Sequence, residues 1–160
     1  VSKRTRNLKP ERLPREPDFN PNGNDLDAAC AWRNFGGLTL TDAIARFQEN
    51  PLYYQEDFMF MGTDAFHYYF PVLDTYLRGT PDAESEDDNE SWIIAHCIAA
   101  QFHERSMQRL RAITPAVLAL ADFVRDNIGR FGGDVAERDR VSLAWHDLAS
   151  QVVELQQDGG

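Results

Sequence analysis

The sequence predicts an all-α fold: a single-domain bundle of six or seven helices around a central, proline-kinked aromatic helix. Three observations carry this. First, apolar residues recur at three- and four-residue intervals from residue 25 onward, outside one acidic loop, and no useful alternating strand pattern occurs. Second, helix start and stop signals divide the chain: Thr39, Pro51, Thr63 and Thr114-Pro115 open segments, while Gly36-Gly37, Gly79 and Gly132-Gly133 close them. Third, nine of the eighteen aromatic residues lie between Tyr53 and Tyr76, including all five tyrosines. No other segment can fill so much core in so few residues. A chain of 160 residues is long enough to bury one sizeable core.

Residues 1–24 read as a flexible, basic, proline-rich tail, with Pro10, Pro14, Pro17 and Pro21 and few apolar residues. The helical domain is predicted over 25–158. Asn24 can cap a helix from Asp25 to Asn34, whose first turn holds Asp25 and Asp27 where the dipole favours them. Leu26, Ala29, Cys30 and Arg33 lie along one side, with Trp32 beside them. Thr39 opens the next helix, with Leu40, Ile44 and Phe47 on its face. Asn50 precedes a proline and so stops it.

Pro51 is a good first helical residue and restarts the chain. Gly62 ends that short helix and Thr63 caps the aromatic one. Phe66, Tyr69, Phe70, Leu73 and Leu77 share one face. Pro71 removes a backbone hydrogen bond within this pattern, which predicts a kink. Residues 80–90, TPDAESEDDNE, form a predicted acidic loop of six carboxylates. It has no glycine and lacks the ligand spacing of a calcium loop.

Asn89 or Ser91 caps a long helix reaching about Ala112, with Ile94, Cys97, Ile98, Gln101 and Phe102 as its inner stripe. Thr114-Pro115 starts another, ending near Ile128, whose face is Val117, Leu120, Ala121 and Val124, supported by Phe123. The last helix runs from about Asp134 to Gln156. Its seam of Val141, Trp145, Leu148, Val152 and Leu155 steps by four and three.

Charge is uneven. Residues 1–15 hold six basic residues and one acidic, a balance of +5, so the rest of the −10 total amounts to −15. An acidic body repels nucleic acid and anionic membranes and favours a basic protein partner. No run approaches the ~18 apolar residues of a membrane span, and no secretory signal pattern opens the sequence, which together predict a cytoplasmic protein. Cys30 and Cys97 lie in helix-like apolar contexts without a CxxC pair, so they read as free thiols.

Catalytic signatures are weak. His96 and His103 are seven residues apart in HCIAAQFHE, two turns of one predicted helix and about 10 Å apart by helix rise. That does not match HExxH. With His67 they are the metal-ligand candidates; no bound metal or cofactor is expected. Glu56 and Asp57 are adjacent, so they point about 100° apart on a helix and do not form a paired-carboxylate site. No nucleophile elbow, phosphate loop or GxGxxG is present.

The run TDAFHYYFP, Thr63 to Pro71, resembles an uncharacterised family of small helical bacterial proteins. Thr63, Ala65, Phe66, Tyr68, Tyr69 and Pro71 match its motif. Asp64 stands where that family usually has glutamate, and Phe70 replaces a leucine. Ile113 to Val124 is similar to the family's second, proline-started helix. The resemblance implies a helical fold and an accessory or immunity-type role. It transfers no catalytic residue.

The expected function is that of a non-catalytic acidic binding module, in concrete form an immunity-type protein neutralising a basic partner. A metal-dependent hydrolase using the histidines and an acidic nucleic-acid mimic or regulator are the alternatives. The aromatic stretch carries more rings than one helix face buries. Tyr53, Tyr54 and Tyr68 are therefore expected to form a partner-binding surface with Glu56 or Asp57.

Overall fold

In the computed structural model, residues 12–79 and 90–158 are described, and among them every regular element is helical. The predicted acidic loop lies outside the described residues except for Glu90, as does the predicted cap Asn89. The elements are α1 (Glu16–Phe19), α2 (Leu26–Phe35), α3 (Leu40–Glu49), α4 (Pro51–Tyr54), α5 (Asp57–Phe60), α6 (Thr63–Arg78), α7 (Ser91–Gln101), α8 (Met107–Leu110), α9 (Thr114–Asp126) and α10 (Val135–Asp158). Short 3-10 turns at Arg111–Ile113 and Ile128–Arg130 flank α9.

The folded body starts before the predicted boundary at residue 25. Phe19, at the end of α1, is 0% exposed. Its ring meets Trp32 of α2 at 5.3 Å and Tyr69 of α6 at 5.7 Å. Among prolines and charges a single phenylalanine gives no periodicity, yet burying one ring is enough to hold a short segment. The backbone adds to this: Gly62 N–H donates to the Phe19 carbonyl at 2.8 Å. A Cβ at residue 62 would collide with the Asp18 carbonyl oxygen, so glycine is required by the close approach of α1. Gly62 therefore takes the cap position of α6, and Thr63 is its first helical residue rather than its cap.

Helix α2 begins one residue later than predicted. The Asp25 carboxylate, not Asn24, accepts the amides of Asp27 and Ala28, both at 2.9 Å. The buried face is Ala28, Ala31 and Phe35, and Leu26 is 85% exposed. Leu26 occupies the first helical position, beyond the reach of the core, and two alanines do the packing. Thr39 caps α3 as its sequence predicts, accepting the Asp42 amide at 3.2 Å. Ala43 and Phe47 are buried, with Leu40 and Ile44 packed alongside.

Helix α6 packs against α1, α3, α7, α8 and α9. Phe66, Tyr69, Phe70, Leu73 and Leu77 are all buried, as the periodicity requires. The Tyr69 hydroxyl donates to the carbonyls of Leu38 (2.8 Å) and Phe35 (3.1 Å), so the polar end of the ring is satisfied inside the core. The helix continues through Pro71 to Arg78, and Gly79 ends it.

Helix α7 stops at Gln101, well short of Ala112. The cause is local hydrogen bonding. Ser106 Oγ donates to the Gln101 carbonyl at 2.6 Å and accepts the His103 amide at 3.0 Å, offering the chain a turn in place of a further helical turn. The Gln101 side chain then staples α7 to α5, with Nε2 donating to the carbonyls of Met61 (2.7 Å) and Phe58 (2.8 Å). Its inner stripe, Ile94 to Phe102, is buried as predicted.

Thr114 is the first residue of α9 rather than its cap, and its hydroxyl donates back to the Leu110 carbonyl at 3.2 Å. Asp134 accepts the Glu137 amide at 2.8 Å, while Glu137 accepts the Gly133 amide at 2.7 Å, a reciprocal start to α10. Val141, Trp145, Leu148 and Val152 bury the seam of α10 against α7 and α9. Gln151 Nε2 ties it to the carbonyls of Phe102 and Ala99 at 2.8 and 2.9 Å. All of this surrounds one hydrophobic core.

Candidate functional site

The short helices α4 and α5 hold most of the residues expected at a partner surface, and they sit at different depths. Tyr53 is 59% exposed and Glu56 is exposed, while Tyr54 and Tyr68 are half-buried. Asp57 is buried. The geometry follows from Pro51, which restarts the helix at once after α3, and from the Asn50 side chain, which accepts the Tyr53 amide at 3.3 Å. Four residues make one turn, so Tyr53 faces outward while Tyr54 turns in against Phe35, ring centroids 5.5 Å apart. The two tyrosine rings meet edge to face at 5.0 Å. Tyr68 stacks edge-on against Tyr69 at 4.8 Å. Leu52 and Phe60 add exposed apolar area on the same short segment.

Asp57 belongs to an internal network. Its carboxylate accepts a 2.8 Å hydrogen bond from Asn34 Nδ2, and Arg46 donates to the Asn34 carbonyl at 2.7 Å. Burial pushes the Asp57 carboxyl above its usual 3.8, the Asn34 hydrogen bond opposes this, and the Glu56 charge adds to the rise. Burial also lifts Tyr69 to about 12, with Tyr68 adding to it. The Cys97 thiol is pushed up to about 12 by burial first and Glu56 second, so it stays protonated and unreactive near neutrality. Cys30 and Cys97 are both free thiols.

The histidines do not share a helix as predicted. His96 is on α7, but His103 follows the end of that helix, at the start of the turn held by Ser106. His96 and His103 are exposed, and His96 meets Trp92 edge-on at 5.7 Å. Among the described residues no group of three or more His, Cys, Asp or Glu is placed to hold a metal ion.

A cavity of about 140 Å³ opens where the end of α3, α4, the last turn of α6 and the first turns of α7 meet. Glu49, Leu52, Tyr76, Glu90, Ser91 and Ile94 are among its lining residues. Ser91, read from the sequence as a cap, is instead the first helical residue of α7 and 0% exposed. Its hydroxyl oxygen has no hydrogen-bond partner among the described residues. Glu90 occupies the cap position without capping through its side chain. The sequence carries no local signal for this cavity, because four separate elements build it.

The chain matches no protein-family model, no curated protein and no solved structure.

Proposed function

We propose that the chain is a non-catalytic, acidic protein-binding module that engages a basic protein, in the manner of an immunity-type protein. The observation that carries the reading is the pairing of charge with exposed aromatic surface. Residues 16–160 have a balance of −15, obtained by removing the +5 of residues 1–15 from the −10 total. On that background Leu52, Tyr53 and Phe60 are exposed in the same short stretch of chain as Glu56. Aromatic residues beside carboxylates suit the centre and rim of an interface with a cationic partner. The resemblance of Thr63–Pro71 to small helical bacterial proteins of accessory type adds support. In this proposal the partner face is Tyr53, Tyr54, Glu56 and Tyr68, the site of action is the cytoplasm, and α6, the central Pro71-kinked helix, carries Tyr68 of that face.

Immobilised protein, exposed to lysate of the source organism at low and then high salt, tests it. A basic protein held at low salt and released at high salt is the expected result, because opposite fields are screened by ions. Tyr54→Ala with Tyr68→Ala should weaken capture about tenfold, while lowering stability less than a core aromatic would. Capture of no basic protein at either salt overturns the reading.

A further inference from the structure

Resting on that protein-binding reading, we infer that the cavity between α3, α4, α6 and α7 is a socket for an arginine side chain of the basic partner. Its size selects a single side chain. A cavity of roughly 150 Å³ admits one benzene ring, whereas pockets for cofactors and drug-sized ligands run to about 300–1,000 Å³. At about 140 Å³ the space holds one side-chain head and part of its stem.

Its chemistry selects a cation. Among the described residues Glu49 and Glu90 are the charged members of the lining, and none of the described lining residues is basic. Leu52, Tyr76 and Ile94 provide apolar walls for methylene groups. Helix ends of both signs meet at the site. The C-terminal ends of α3 and α6 carry partial negative charge and the N-terminal ends of α4 and α7 partial positive charge, so the carboxylates decide the sign.

Ser91 is the second, independent observation. It lines the cavity wholly buried, with its hydroxyl unpartnered among the described residues. Buried polar groups are almost always paired, so an unmet one points to a donor or acceptor arriving from outside. Once the Ser91 hydroxyl turns toward the cavity, a guanidinium N–H can donate to it while other N–H groups of the same planar fork reach the two carboxylates. Arginine has five such donors in fixed geometry and lysine three on one centre, so arginine satisfies more of the lining at once.

Titration of N-acetyl-arginine-N-methylamide into isotope-labelled protein, followed by NMR, tests the socket. The matched lysine, norleucine and glutamate compounds serve as controls. The arginine probe should give saturable shifts centred on the amides of Leu52, Ser91 and Ile94. Binding should be about tenfold weaker for norleucine and glutamate, and about tenfold weaker for arginine in Glu49→Lys, whose site is exposed and tolerates the change. Ser91→Ala should also weaken the arginine probe without lowering the melting temperature, which separates a lost contact from a lost fold. No saturable shift up to ~10 mM arginine probe overturns the inference, as does equal binding of norleucine. Equal binding of the lysine probe overturns the assignment to arginine. A salt-reversible basic partner captured equally by wild type and Glu49→Lys sinks the socket and leaves the protein-binding reading standing. Arginine-probe binding without capture of any basic protein does the reverse.

Discussion

Asn34 donates a 2.8 Å hydrogen bond to Asp57, joining the last turn of α2 to the first turn of α5. The bond secures the carboxyl group of a residue that is only 7% exposed, at a cost that depends on pH. Because burial raises the folded-state pKa above 3.8, the folded protein holds this proton more tightly than the unfolded chain. Asp57's favourable contribution is thus complete below the unfolded value and is lost as pH rises through the folded one. Asp57→Asn keeps an acceptor for Asn34 and removes the buried charge. Thermal melts at pH 3, 5 and 7 should show the variant gaining on wild type as pH rises. A stability difference that does not shift toward the variant between pH 3 and pH 7 would contradict the argument.

Phe19→Ala should cost about 3–5 kcal/mol, the usual range for a buried phenylalanine. The ring is 0% exposed against Trp32 and Tyr69. Urea denaturation reads this directly. An unchanged midpoint would return residues 12–24 to the status of a tail.

Gln101→Leu preserves bulk and removes the donor shared by the Phe58 and Met61 carbonyls. Orphaning two buried carbonyls should cost about 2–3 kcal/mol. Hydrogen exchange should speed up in α5 and α7 more than in α9. Uniform exchange would mean that the staple is dispensable.

Pro71→Ala should leave the fold intact, because it supplies a missing amide inside a helix that already runs from Thr63 to Arg78. We expect the axis to straighten and the melting temperature to hold or rise. A crystal structure of the variant measures the angle, and an unchanged axis would show that Pro71 does not bend α6.

Much of the fold was legible because large apolar residues set it. The stripes of α6, α7, α9 and α10 announce themselves through Phe, Leu, Val and Trp at helical spacing. Helix α2 was legible as a helix but not in its facing. Ala28 and Ala31 are too small to outweigh Leu26 on any hydropathy count, although they are the residues that fit beneath the aromatic layer. The early end of α7 was hidden for another reason: Ser106 and Gln101 act on backbone groups, and such bonds leave no periodic trace. At the site, the outward turn of Tyr53 followed from an excess of rings over core space. Asp57 reads as a surface charge until Asn34 is seen beside it. The cavity at Ser91 depends on residues from α3 to α7 and has no signature within any one of them.

The dependence of α1 on Gly62 and Tyr69 also sets an order of events during synthesis. Phe19 leaves the ribosome first and has no partner on α6 until residue 69 has been made. At ~5–20 residues per second that delay is roughly 2–10 s. Throughout it an aromatic side chain destined for the core has at most Trp32 of α2 to cover it, with basic and proline residues on its N-terminal side. Those neighbours resist β-pairing and self-association, so the composition that makes this segment look structureless also protects it until its seat exists.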